Sequence, residues 1–329
     1  MATPALGPAP IDRVPIDRVP LGVAFMVLFC LLAPLIDVAA KMASQHVTVT
    51  QVTAARYGFQ CLLMLPLMLY PRGLWRLPSG VLPFLLLRAL VGLVSTYSFV
   101  AAVQVMPIAD ALAIVFVEPF ILLVLGFLLF GDTVGPRRIV ASLTGFGGAL
   151  LVIQPNFAVF GPVALWPLVT AVAFAVYVLV TRRLSRALSP VAMNFHTAWI
   201  AVLMMLPVLG LGKALRVPVL ALSWPEPVVW LQLVGVALAA TVSHLFISYA
   251  LRFAPSATLA PLHYLEIVSA AAFGWLFFRD WPNLISWAGI TVITASGLFV
   301  IWREHRQDRA AGARAAEAVG RDEAPPTSE

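Results

Sequence analysis

The sequence predicts an all-α integral membrane protein, with ten transmembrane helices arranged as two inverted five-helix repeats. Three observations lead there. Of the 329 residues, 61% are hydrophobic and only 11% charged, whereas an ordinary globular domain carries about 25% charged residues. Apolar runs of roughly the 20 residues that a helix needs to cross hydrocarbon recur along almost the whole chain. The stretch GFLLFGD from Gly126 returns as GWLFFRD from Gly274, so the second half repeats the first.

In order, the runs fall at 21–40, 49–70, 81–103, 108–130, 138–153, 161–181, 191–211, 227–251, 256–278 and 284–302. Turn formers separate them: Pro71 and Gly73 after the second, Gly131 and Asp132 after the fourth, Pro155 and Asn156 between the halves, Trp281 and Pro282 before the last. The first repeat thus spans 21–153 and the second 161–302, and loops this short leave no room for a soluble catalytic domain. Ahead of them, Ile-Asp-Arg-Val-Pro occurs twice between Ile11 and Pro20. Prolines so spaced deny a helix, which makes 1–20 a cytoplasmic tether. Arg13 and Arg18 before an apolar run resemble a secretory signal, but the run is a full span and no small-residue cleavage site follows, so cleavage is not expected. Residues 303–329 are charged and rich in Ala, a solvated and partly disordered cytoplasmic tail. Cys30 and Cys61 lie within apolar runs and read as buried thiols.

Lys and Arg near the span ends set the orientation, because cytoplasmic loops retain positive charge. With an internal N-terminus the inner side carries fourteen, from Arg13 and Arg18 through Arg72, Arg76, Arg137, Arg138, Arg182, Arg183, Arg186 and Arg252 to Arg303, Arg306, Arg309 and Arg314. The outer side carries four: Lys41, Lys213, Arg216 and Arg279. Both termini then face the cytoplasm across the inner membrane. The net charge of +6 follows from topology and calls for no nucleic-acid partner.

Glu118 and Glu266 sit mid-way along apolar runs, 148 residues apart, and the same offset pairs Pro107 with Pro255, Gly126 with Gly274, Phe130 with Phe278 and Asp132 with Asp280. Earlier in the halves, LLMLP at 62–66 resembles LMMLP at 203–207 at an offset of 141, and a seven-residue insertion near Lys213 reconciles the two. Five spans is an odd number, so the second repeat enters the membrane from the opposite side. Inverted repeats place a substrate site at the midplane between the halves and permit alternating access.

On these duplicated segments, 107–132 and 255–280, and on the Gly-rich last helix of each half, the chain resembles the drug/metabolite transporter superfamily with two EamA-type repeats. The resemblance covers about 21–303. In that family the motif's closing acidic residue is often Glu after Gly; here the pairs are Gly131-Asp132 and Arg279-Asp280. The resemblance implies a secondary transporter of metabolites, amino acids, vitamins or drugs, and leaves substrate and direction open.

The site itself is read from physical chemistry. A carboxylate among apolar residues is costly in a bilayer and marks an ion or substrate path, so Glu118 and Glu266 are the expected centre, binding a proton or the cationic part of a substrate and titrating as a coupled pair. Pro119 and Pro261 each release the carbonyl four residues back, that of Val115 and of Ala257, which adds acceptors beside the carboxylates. A structural role for each glutamate, hydrogen-bonded to a neighbouring helix, is the alternative. His263 shares a helix face with Glu266 and can relay protons or bind substrate, while Tyr264 points about 100° away; with Trp166 and Tyr177 it is expected to supply an aromatic lining. His196 and His244 are candidates for interhelical hydrogen bonds. Arg56 and Arg88 also fall inside spans and need partners. Arg56 lies roughly 10 Å inside the outer end of the second span and Asp37 several ångströms inside the same side of the first, which predicts a structural Asp37–Arg56 ion pair, with substrate-carboxylate capture by Arg56 as the alternative. Arg88 either snorkels to the interface or meets substrate. Gly145, Gly148, Gly289 and Gly297 read as close helix packing.

An integral membrane enzyme acting on lipid-borne substrates and a non-transporting scaffold are the rival readings; the sequence shows no catalytic constellation, cofactor motif or metal-ligand spacing, which counts against the enzyme, and a scaffold does not need matched carboxylates. The partners implied are a small-molecule substrate, the lipid bilayer and protons, with a homodimer left open.

Overall fold

A computed structural model describes residues 18–69, 75–106, 108–130, 135–153, 161–278, 283–299 and 302. The closing pairs 131–132 and 279–280, the tail over 303–329 and all but the end of the tether lie outside them. The first repeat comprises α1 (Val19–Ser44), α2 (Val49–Leu69), α3 (Leu82–Val105), α4 (Ile108–Val115), α5 (Glu118–Phe130) and α6 (Pro136–Ile153). The second comprises α7 (Leu165–Leu184), α8 (Pro190–Leu215), α9 (Pro227–Phe253), α10 (Ser256–Leu259), α11 (Leu265–Phe278) and α12 (Leu284–Phe299). Six of these, α1, α2, α3, α7, α8 and α9, are long and apolar enough to cross a bilayer unbroken, α7 counting its leading 3-10 turn. Leucines such as Leu62, Leu128, Leu165 and Leu231 stand exposed around the bundle, the lipid-facing surface that leaves the polar side chains inside. α1 begins at Val19 with Pro20 in its first turn, where the missing N–H removes no helical bond.

The fourth and ninth spans are each broken near their middle, at corresponding places in the two repeats. Between α4 and α5 the ladder tightens: Val117 N–H donates to the Ile114 carbonyl at 3.2 Å and Phe120 N–H to Val117 at 3.1 Å. Pro119, lacking an N–H, cannot continue the ladder through Val115. In the ninth span a 3-10 stretch over Ala260–Tyr264, containing Pro261, separates α10 from α11. The result is two half-helices, α5 and α11, that begin inside the bundle.

Packing follows the two-fold relation. α1 lies on α9 as α7 lies on α3, and α5 lies on α7 as α11 lies on α1, so the halves interleave. The last helices meet at Gly148 and Gly289, and Gly145 receives the ring of Tyr264, the close approaches that small residues permit.

Candidate functional site

A cavity with about 940 Å³ of space unfilled by atoms, open solvent included, lies between the two repeats. α1 presents one face to it, Phe29, Ala33, Ile36, Asp37 and Ala40, at helical spacing. Arg56 and Tyr57 of α2, Thr96 of α3, Phe174 and Tyr177 of α7 and His244 of α9 enter from the other helices. Glu118, His263 and Glu266 come from the two broken spans.

The breaks position the carboxylates. Glu118 is in the first turn of α5 and Glu266 in the first turn of α11, so each sits at the positive end of a half-helix dipole, which favours a negative charge there. The sequence placed both glutamates mid-way along a span; the structure adds that each opens a new helix. Nδ1 of His263 lies 2.8 Å from Oε2 of Glu118, the ring N–H donating to the carboxylate. Oε1 of Glu118 has no partner among the described residues, although Glu118 is only 2% exposed. His263, from the second repeat, therefore ties down the carboxylate of the first, with Phe29 against its ring at 5.9 Å.

A second polar group surrounds Arg56, and it corrects the pairing expected from depth. Arg56 does not pair with Asp37: its guanidinium donates to Thr96 Oγ1 and to Nε2 of His244 at 2.8 Å, and its Nε–H has no partner among the described residues. Asp37 is on the cavity wall, contributed by α1, while the donors of Arg56 turn toward α3 and α9. Because Arg56 has only hydrogens to offer, Nε2 of His244 accepts, and the network assigns the ring hydrogen to Nδ1, which lies 2.9 Å from the Tyr177 hydroxyl.

Arg88 neither snorkels nor reaches the cavity lining. It is fully buried, its Nε donating to Thr181 Oγ1 at 2.8 Å and its other nitrogens to Thr197, Tyr177 and Asn194, with the guanidinium 4.3 Å from the Tyr177 ring centre. Thr181, Thr197 and Asn194 were missed in the sequence; their signal was the scatter of single hydrogen-bonding residues along apolar spans. Tyr264 also departs from the expected lining. It is completely buried, packed on Gly145, and its hydroxyl donates to the Phe116 carbonyl at 3.1 Å, which ties the break of the ninth span to that of the fourth. Trp166 is 41% exposed and stands against Tyr97 rather than in the cavity. Of the expected aromatics Tyr177 does line the cavity, together with Phe29, Tyr57, Phe99, Phe116 and Phe174. His196 accepts from Trp199 Nε1 at 2.8 Å, away from the cavity.

The Tyr264 contact yields a measurable expectation. Tyr264→Phe keeps the ring and removes one hydrogen bond to a carbonyl at a helix break, so it should lower stability by about 1 kcal/mol. Thermal denaturation of the purified variant beside wild type checks this, and an unchanged melting temperature would show that the carbonyl is satisfied without Tyr264.

Residues 20–154 and 161–302 each match the EamA-like transporter family. Among similar proteins, a riboflavin transporter of Rhizobium johnstonii is 28% identical over 290 residues, covering 88% of this chain and 93% of that one. An S-adenosylmethionine uptake transporter of Rickettsia prowazekii is 23% identical over 288 residues, covering 87% of this chain and 94% of that one. A solved crystal structure superimposes with a TM-score of 0.67 at 17% identity, covering 88% of this chain and 98% of its own, and shares the fold. With both repeats matched over most of the chain, it belongs to the EamA-like transporter family.

Proposed function

We propose that this multi-pass membrane protein, a small-metabolite secondary transporter, carries an amino-acid-like, vitamin-like or otherwise cationic or zwitterionic compound across the inner membrane and couples its movement to protons. The observation that carries the reading is the matched pair Glu118 and Glu266, each opening a half-helix on one cavity, with His263 bridging between repeats. A proton or a cationic group held at these carboxylates is exchanged as the repeats rock about the site. Phe29, Phe174 and Tyr177 supply stacking surface for a ring-bearing part of the substrate. The similarity to riboflavin and S-adenosylmethionine transporters supports ring-bearing metabolites. The test is uptake of labelled S-adenosylmethionine and riboflavin by vesicles containing the purified protein, with and without an imposed pH gradient. Uptake of neither, alongside a broader metabolite panel that also fails, would leave the scaffold reading.

The repeats are assigned to 21–153 and 161–302, between a tether over 1–20 and a tail over 303–329, with both termini in the cytoplasm. The fourteen-to-four distribution of Lys and Arg supports this orientation. A C-terminal alkaline phosphatase fusion expressed in a bacterium should be inactive, and a green fluorescent protein fusion at the same place fluorescent; the reverse result would overturn the topology.

A further inference from the structure

The cavity carries two polar groups of opposite character. Asp37, Glu118 and Glu266 supply carboxylates, contributed by α1, α5 and α11. Arg56, Tyr177 and His244 form the other group, contributed by α2, α7 and α9, with Arg88 behind Tyr177. The Phe174 ring lies 6.2 Å from that of His263, the partner of Glu118, and 5.8 Å from that of Tyr177, so an apolar ring borders both groups.

Among the described residues the basic group has no counter-charge. A guanidinium keeps its charge in any protein environment, and a charge out of water is tolerated when paired. Arg56 is 4% exposed, yet its partners among the described residues are Thr96, His244 and the Tyr57 ring, all without charge when the imidazole accepts, and its Nε–H has none among them. Arg88 likewise has only Thr181, Thr197, Tyr177 and Asn194. Among the described residues, no carboxylate pairs with either arginine. Hydrogen counting points the same way. The Tyr177 oxygen accepts from Arg88 and from the Nδ1–H of His244, which leaves its own hydrogen without an acceptor among the described residues. The guanidinium and the phenol both border the cavity, and each has a hydrogen to give.

We infer that Arg56, assisted by Tyr177 and backed by Arg88, is the subsite for a carboxylate, and that the transported compound is a zwitterion whose cationic group faces Asp37 and Glu266. This rests on the transport reading above and adds the polarity of binding to it. Arg56 supplies a charge-assisted hydrogen bond of the stronger kind, and the ligand carboxylate supplies the counter-charge that Arg56 lacks among the described residues. Asp37 is thereby left for the ligand's cation. An amine without the carboxylate would leave the guanidinium unpaired and bind less tightly.

Binding to the purified full-length protein in detergent, read by calorimetry, tests the subsite with three acid and amine pairs: S-adenosylmethionine and its decarboxylated form, methionine and 3-(methylthio)propylamine, phenylalanine and phenethylamine. In at least one pair the carboxylate-bearing member should bind about tenfold or more tighter, which is about 1.4 kcal/mol. Arg56→Gln should bring the two members of that pair within about twofold, while Arg56→Lys keeps part of the preference. Tyr177→Phe, which deletes only the hydroxyl, should lower the preference on its own, so the subsite is still tested should Arg56→Gln fail to fold. Equal affinity within every pair in wild type, a preference that survives Arg56→Gln or is untouched by Tyr177→Phe, or binding of no carboxylate-bearing member would overturn the proposal. Vesicle uptake is read separately: uptake of both members of a pair without discrimination keeps transport and removes the subsite, whereas discriminating binding without uptake keeps the subsite and removes transport.

Discussion

Glu118→Gln and Glu266→Gln should each yield a folded protein that no longer accumulates substrate against a pH gradient. Glutamine keeps the length of the side chain and an oxygen that accepts, so His263 still finds a partner at position 118. What is lost is a group that binds and releases a proton. A gradient of one pH unit is worth 1.36 kcal/mol per proton, so wild-type vesicles exchanging one proton per substrate should concentrate it about tenfold, and either variant should stop near equality across the membrane. Exchange of internal for external substrate, which needs no net proton movement, separates two roles. A variant that exchanges but does not accumulate has lost the coupling proton; one that does neither has lost the seat of the substrate's cationic group. Wild-type accumulation and pH profile in both variants would make the carboxylates structural and remove the central feature of the proposed mechanism.

The architecture was legible because its causes are written along the chain. Lipid as solvent requires long apolar runs, and the repeat shows as a constant offset between Pro107 and Pro255 and between Glu118 and Glu266. The carboxylates were legible for the same reason, since an acid in such a run has few uses. The partners of the arginines were not. Position along a helix fixes depth at about 1.5 Å per residue, and Asp37 and Arg56 share a depth, but it does not fix which neighbour each side chain faces once helices pack. Arg56 faces Thr96 and His244 because α3 and α9 stand there. Arg88 is held within the bundle by Thr181 on α7 and by Thr197 and Asn194 on α8, residues distant in sequence that single out nothing by themselves. The helix breaks were half legible: Pro119 and Pro261 announce lost backbone bonds, but only packing decides between a kinked helix and a new one. Since Ala260–Tyr264 runs as 3-10, successive side chains there turn by about 120°, and Tyr264 goes to Gly145 and Phe116 while His263 goes to the cavity.

Gly289→Leu should destabilise the bundle strongly, and Gly147→Leu should not, although both positions are glycines in the closing helix of a repeat. An ideal Cβ on Gly289 would stand 2.6 Å from the Gly148 carbonyl oxygen and 2.9 Å from the Val152 nitrogen. Both are backbone atoms of α6, so no rotamer change can relieve the contact and α6 and α12 must move apart. Without a hydrophobic drive between helices in lipid, their association depends on this close packing and on interhelical hydrogen bonds such as that from Ser286 to the Val152 carbonyl at 3.1 Å. Overpacking of this kind costs about 1–3 kcal/mol or more, which corresponds to a fall in melting temperature of roughly 5 °C or more. Gly148→Leu should behave like Gly289→Leu, since its Cβ would lie 3.0 Å from the Gly289 carbonyl oxygen. Gly147 meets no atom within 4 Å, so a side chain there extends into open space. Melting of the three purified variants decides the matter: a Gly289→Leu protein as stable as wild type, or a Gly147→Leu protein as damaged as Gly289→Leu, would show that the two repeats are not held together through this contact.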